Sequence, residues 1–359
     1  MNEEIHIALA CDERYFPGLL ATITSILVSS DSGHAYRFHV LDGGIKSESL
    51  KFLKDTLSKF KHDTELNVIG VDTSQFDDFP EFFFDSPMNY ARLLLPKLLK
   101  NLDKAIYTDV DILHFKDIKN LWSENLPNYS MTVGMEVSIK SLGGEFFDYA
   151  ALDLSKDAPY FNNGLMMMDL NKWRSENISE KVMNFISNHP DQCEFHEQSA
   201  MNIILSGDFK LLDKSWNVQS HREAFDQIED FNQLKNFEIN FHFVTSSKPW
   251  LKYNDSPQNR LFYTLLDELG YTLTNPDFIS SKQKYKTKMK VAKYLPSFYR
   301  FRSITKKILG KNEGARSDKK TADFWKEQLP VLRFRDRKKE SINQMIGEWR
   351  ANISDTLEN

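Results

Sequence analysis

Ala105-Ile106-Tyr107-Thr108-Asp109-Val110-Asp111-Ile112-Leu113 is an apolar run interrupted by two aspartates at i and i+2. Lys104 to Thr108 reads as a strand, and it delivers two acids that would be costly to bury without a partner. Working outward, Ile5 to Ala10 is another short apolar strand, running into polar Cys11-Asp12-Glu13-Arg14. Pro17 suits a first helical turn, and Leu19, Leu20, Ile23, Ile26 and Leu27 then share one face. Phe38 to Leu41 is a strand stopped by Asp42-Gly43-Gly44, and Ser47 opens an amphipathic helix through Leu50, Leu53 and Leu57. Leu66 to Val71, Met131 to Met135, Leu165 to Met168 and Phe237 to Val244 read as further strands, and Asn89 to Lys100 as a helix. Strands alternating with helices imply crossover connections, hence an α/β protein with a mainly parallel sheet flanked by helices.

Ligands of open α/β sheets sit outside the carboxyl ends of the strands. Asp12 and Glu13 follow the first strand, Asp109 and Asp111 follow the fourth, and His242 lies within the last. Two carboxylates at i, i+2 in a turn can share one divalent ion, and Mn²⁺ accepts an added imidazole more readily than Mg²⁺ does. Alone, the same triplet also describes a solvated turn, and a His between Phe241 and Phe243 also describes a core histidine. Lys248 suits a phosphate or a plain surface.

Composition narrows the class. The chain has 359 residues, an ordinary charged share and two cysteines, Cys11 and Cys193, too few for a disulfide framework or a zinc cluster. No apolar window reaches the roughly 20 residues of a membrane span, and Met1-Asn2-Glu3-Glu4 does not read as a signal peptide. The expected setting is cytoplasmic. The net charge of −5 hides a segregation: residues 282–320 carry 14 Lys or Arg against Glu313 and Asp318, whereas the first 281 residues carry a net −17. In 282–320 basic residues alternate with Tyr294, Phe298, Phe301, Ile304 and Ile308 at helical spacing, interrupted by Pro296. That composition suits the surface of an anionic membrane; a solvated tail fits it too, and nothing else in the chain supports nucleic acid.

Taken as ordered blocks, the sequence resembles glycosyltransferase family 8, in particular bacterial lipopolysaccharide galactosyl- and glucosyltransferases. The blocks are Ala10 to Tyr15, Phe38 to Asp42, Tyr90 to Leu93, Tyr107 to Asp111, Phe161 to Leu165 with Asp169 to Arg174, His196 to Ser199, and His242 to Trp250. The resemblance implies a GT-A fold over residues 1–275, followed by a basic, partly helical extension over 276–359. It implies Mn²⁺ (or Mg²⁺) on Asp109, Asp111 and His242, and Lys248 on the diphosphate of a UDP-sugar. Ala10, Asp12, Tyr15, Val110, Arg92, Asn162 and Asn163 would line the donor site, with Gln198 and Glu197 at the reacting centre. Arg14, Asn163 and Thr245 depart from the family pattern. The implied reaction is transfer of galactose or glucose, with retention of configuration, to lipopolysaccharide or another cell-surface glycan. A lipid-linked saccharide acceptor at the inner face of the plasma membrane would suit the basic segment. Because Gln198 is a poor nucleophile, front-face attack is favoured over a covalent intermediate. Acceptor contacts are expected around Ser138 to Tyr160, where Gly143-Gly144 suggests a mobile loop. Two other readings remain at this stage, a sugar-nucleotide-binding module without transfer activity and a different metal-dependent phosphate-processing enzyme.

Overall fold

The computed structural model describes residues 3–80, 86–126, 128–139, 141–144, 152, 154–220, 236–244, 248–308, 316–323 and 339–358. They form two compact units, residues 1–248 with 352–359, and residues 249–351.

The first unit is built on a seven-stranded sheet. Strands β1 (Glu4–Cys11), β2 (Ala35–Asp42) and β3 (Asp63–Gly70) are joined through helices α1 (Phe16–Ser29) and α2 (Ser47–Leu57). The chain then returns across the sheet to β4 (Lys104–Thr108), giving the order β3-β2-β1-β4 with parallel pairing throughout. The short strand β5 (Ile112–Leu113) follows, then β6 (Met131–Met135), β7 (Phe161–Asp169) and β8 (Phe209–Leu211). β7 runs antiparallel to both β4 and β6, whereas β6 and β8 pair in parallel. The sheet is therefore mixed but mainly parallel, as the alternating pattern predicts. Every residue of β1 from Ile5 to Cys11 is buried except His6, as expected for a central strand covered on both faces. Edge strand β3 instead alternates between exposed and half-buried.

Two consequences place the site. The reversal of strand order between β1 and β4 is a topological switch point, where a crevice opens at the carboxyl ends. Because β7 is reversed, its amino end (Phe161, Asn162, Asn163) arrives at that same edge, opposite the carboxyl end of β4. A second small sheet, β5-β10-β9, joins β10 (Phe241–His242) antiparallel to β5 and parallel to β9 (Val218–Gln219).

Several local expectations change. Asn89 to Lys100 is not one helix: tight 3-10 turns run over Pro87–Leu94, and α3 covers only Leu95–Leu98. Pro96 has no N–H for the carbonyl of Arg92 and stands in the first turn of α3, where that missing donor costs least. The last strand pairs only at Phe241–His242, because β5 and β9 are themselves two residues long. In the second unit the helix Pro276–Ile308 continues through Pro296 rather than stopping there; one lost hydrogen bond need not end a long helix. Within that unit Tyr253 stacks on Tyr263, and Asp255 joins Arg260 (2.8 Å) to Tyr285 (2.8 Å) near the start of the basic helix. Among the described residues no helix is long and apolar enough to cross a membrane.

Candidate active site

The site begins with the turn after β4. Asp109 N–H donates to Gly164 O at 2.7 Å, which ties the turn to β7. Phe243 N–H donates to Asp111 O at 2.9 Å, which ties it to β10 and brings His242 alongside. One oxygen of each aspartate and one nitrogen of His242 lie within 4.8 Å of one another. His242 Nε2 is 3.1 Å from Asp111 Oδ1 and 3.8 Å from Asp109 Oδ2. Two carboxylates and an imidazole converging at a strand edge are a donor set for a divalent cation. Gly164 leaves room for this convergence, since a Cβ there would lie 2.7 Å from Asp109 Oδ2 and against the His242 ring.

Electrostatics hold Asp111 ionised. Burial alone would raise the carboxyl of Asp111, but Lys248 and His242 outweigh it and keep the group well below the usual carboxylate range. Lys248 Nζ contacts Asp111 Oδ2 directly and donates to Phe243 O at 2.6 Å. Asp109 Oδ1 accepts from Arg92 Nη2 at 2.8 Å and from the Tyr107 hydroxyl at 3.0 Å. Arg92 is almost fully buried. Burial would lower its basicity, but Asp109, Tyr107 and Glu197 more than compensate and hold it charged. Its Nη1 donates to Asn163 O at 2.7 Å, and its Nε lies 3.3 Å from Glu197 Oε1.

The next helix at the site, α4 (Glu197–Ile204), supplies the far wall. It is entered through His196 at φ 55°, ψ −132°, a backbone strain of about 1–3 kcal/mol for a residue with a side chain. Gln198 Oε1 accepts from Asn162 Nδ2 at 3.2 Å and from Asn163 N at 3.3 Å. Glu197 is buried, and that burial raises its carboxyl above the ordinary range despite the neighbouring Arg92. Its Oε1 accepts from Asn163 Nδ2 at 3.0 Å, while its Oε2 is sealed from solvent.

One cavity of about 340 Å³ collects these groups. Ala10, Asp12 and Tyr15 line it from the end of β1, Arg92 from the 3-10 turns, and Asp109, Val110 and Asp111 from the β4 turn. Asn162 and Asn163 reach it from β7, Glu197 and Gln198 from α4, and His242 and Lys248 from β10 and the segment beyond. Asp12 also caps its own turn, accepting from Tyr15 N at 3.2 Å. Glu13 turns away and holds α2 through Lys46 N (2.9 Å) and Ser49 Oγ (3.1 Å), so it is no part of the site. Thr245 lies outside the described residues, as does much of the stretch between Ser138 and Tyr160.

Sequence reasoning missed Glu136, Phe195 and Asn217. Glu136 follows the apolar strand β6 as Asp109 follows β4, so the same strand-end rule finds it. Its Oε1 accepts from Val137 N (2.8 Å) and Ser138 N (2.9 Å), and its Oε2 from Asn162 Nδ2 at 3.1 Å. Phe195 lines the cavity while 39% exposed. Asn217 carries no local signal.

Comparison with known proteins agrees with this geometry. The family model "Glycosyl transferase family 8" matches residues 6–254, and the chain belongs to that family. It is 28% identical to General stress protein A of Bacillus subtilis, over 76% of this chain and 99% of that protein. It is 26% identical to Probable galacturonosyltransferase-like 10 of Arabidopsis thaliana, over 70% of this chain and 72% of that one. A solved structure of the galactosyltransferase LgtC with donor and acceptor sugar analogs superposes with TM-score 0.64 at 21% identity, covering 75% of this chain and 97% of that one. The fold is thus GT-A, and the protein is a glycosyltransferase, an enzyme class that uses a sugar-nucleotide donor and a glycan acceptor.

Proposed function

We propose that this glycosyltransferase moves a hexose, galactose or glucose, from a UDP-sugar to lipopolysaccharide or another cell-surface glycan, with Mn²⁺ and with retention of configuration. The observation that carries the reading is the convergence of Asp109, Asp111 and His242 within 4.8 Å in a cavity also lined by Arg92, Lys248 and Gln198. Asp109, Asp111 and His242 would hold the cation, which when bound neutralises the leaving diphosphate. Lys248, poised on Asp111, adds a positive charge where that diphosphate departs. Asp12 and Tyr15 would meet the base, with Ala10 and Val110 completing that wall. Arg92, Asn162 and Asn163 would position the sugar.

Retention by double displacement needs a carboxylate free to attack the anomeric carbon. Glu197 does not supply one easily, because Oε1 is held by Asn163 and Arg92 and Oε2 is buried. Gln198 lines the same cavity, and its amide is a poor nucleophile, which supports front-face attack steered by the leaving phosphate. Residues 276–359 we read as a basic extension beyond a catalytic region over 1–275. The helix Pro276–Ile308 leaves Phe301 (69%) and Ile304 (59%) exposed beside Arg300 and Arg302, which supports attachment to the inner face of an anionic membrane.

The test is UDP release from UDP-galactose and UDP-glucose with Mn²⁺, then with EDTA. Release that needs metal and yields an α-linked product supports the reading. Binding without turnover would reduce the chain to a sugar-nucleotide module, and metal-independent phosphate release would indicate different phosphate chemistry.

A further inference from the structure

The hydrogen bonds behind the His242 ring run in one forced direction. The Gly164 N–H can only donate, and it donates to Asn162 Oδ1 at 3.1 Å. Glu136 Oε2 accepts from Asn162 Nδ2 at 3.1 Å. A backbone donor on one side and a carboxylate on the other leave the Asn162 amide a single orientation. Asn162 Oδ1 also accepts from Asn217 Nδ2 at 2.9 Å, so Asn217 turns its Oδ1 to His242 Nδ1, 2.9 Å away. An amide oxygen only accepts. Nδ1 therefore carries a proton and donates it to Asn217, which leaves Nε2, 3.1 Å from Asp111 Oδ1, as the nitrogen that can exchange its proton for a cation.

We propose that Asn217 is a positioning residue that sets the tautomer of His242 from Glu136 and Gly164, and that the same amide holds Asn162 against Gln198. The proposal rests on the metal reading above. It makes one buried amide the link between the cation ligands and the sugar-facing residues. Asn217 is only 3% exposed and is not among the cavity's lining residues, so it acts through others. The fold is shaped around it: a Cβ at Gly134 would lie 2.5 Å from Asn217 Nδ2. Metal-binding histidines are commonly fixed through their second nitrogen in this way, and removing such a partner typically weakens metal binding roughly 10- to 100-fold.

Two variants of the full chain separate the two halves of the link. Asn217→Asp keeps an oxygen for His242 Nδ1 but cannot donate to Asn162 Oδ1. If Asn162 flips to compensate, its oxygen opposes Glu136 Oε2 and Gln198 Oε1, and the Gly164 N–H loses its acceptor. Asn217→Leu removes both contacts. Mn²⁺ binding without substrate is read from the electron paramagnetic resonance of free Mn²⁺, kcat and KM from UDP release at saturating Mn²⁺, and folding from urea titration. Asn217→Leu should bind Mn²⁺ at least tenfold more weakly. Asn217→Asp should keep wild-type Mn²⁺ affinity while kcat falls roughly tenfold or more, as expected for a displaced sugar-facing group. In the metal-free protein, ¹⁵N spectra of labelled histidine, assigned against His242→Gln, should show Nδ1 protonated, whether or not Nε2 also carries a proton beside Asp111. This last measurement stands even if Asn217→Leu does not fold. A His242 ring protonated only on Nε2 overturns the proposal. So does an Asn217→Asp variant that loses Mn²⁺ as severely as Asn217→Leu, or a pair of folded variants indistinguishable from the parent. A parent chain that binds no Mn²⁺ overturns the metal reading itself, whereas a parent that binds beside unaltered variants overturns only the role of Asn217.

Discussion

At the scale of single residues, the site concentrates buried charge, and each charge is matched. Arg92 answers both Asp109 (2.8 Å) and Glu197 (3.3 Å), a planar fork serving separate acids. Lysine has one point charge and cannot replace it, so Arg92→Lys should leave a buried acid uncompensated. A loss of about 3–5 kcal/mol is expected, read from urea unfolding. Asp111→Asn keeps the shape of its turn but strips Lys248 of its counter-charge and the cation of an anionic ligand. Its Mn²⁺-dependent kcat/KM should fall at least ~100-fold, with little of the loss restored by added Mn²⁺. If the Gln198 amide serves the reacting centre, Gln198→Ala should retain UDP-sugar binding by calorimetry while kcat drops by about two orders of magnitude. Equal losses in binding and turnover would recast Gln198 as a contact made alike in ground and transition states.

At the scale of elements, the strand ends were the legible part. Apolar runs that finish in polar, acidic residues located the ends of β1 and β4, and the cavity gathers Asp12 and Asp109 as that pattern implies; Asn162, at the amino end of β7, was reached only through the family resemblance. Glu136 was equally accessible by the same rule. Asn217 was not, because it stands beside a two-residue strand and owes its importance to Asn162 and His242, neighbours only in space. The 3-10 turns before α3 escaped periodicity as well, since eight residues of either helix type show similar apolar spacing. Pairing of β1 with β2 has its own consequence for acid stability. It stacks His39 on His6, with ring centroids 5.3 Å apart. Burial, and then the neighbouring His6, push His39 down to about 4. Between the ordinary histidine range and about pH 4 the unfolded chain binds a proton that the folded chain refuses, so this stability is full above pH 6.5 and is lost as pH falls. The contribution amounts to about 3 kcal/mol across that window. In urea titrations at pH 7.5 and pH 4.5, His39→Gln should lose less stability on acidification than the parent.

At the scale of the whole molecule, charge is divided along the chain, with a net −17 in the first 281 residues and 14 basic residues within 282–320. If the basic segment attaches to anionic lipid, the full chain should co-sediment with phosphatidylglycerol vesicles in low salt. It should leave them near 0.5 M NaCl and ignore phosphatidylcholine, at about 1 kcal/mol per basic residue engaged. Sedimentation that ignores both salt and lipid charge would remove the membrane reading and leave the glycosyltransferase assignment untouched. The reversed strand β7 carries a different kind of consequence. With β6 ending and β7 beginning at the same edge of the sheet, the connection between them both leaves and re-enters beside the reaction centre. Leu142 and Tyr160 of that connection are fully buried and Glu136 holds Asn162, so any exchange has to keep these anchors. If this connection contacts the acceptor, grafting its counterpart from another family member onto those anchors should change acceptor preference, read from UDP release across a panel of glycans.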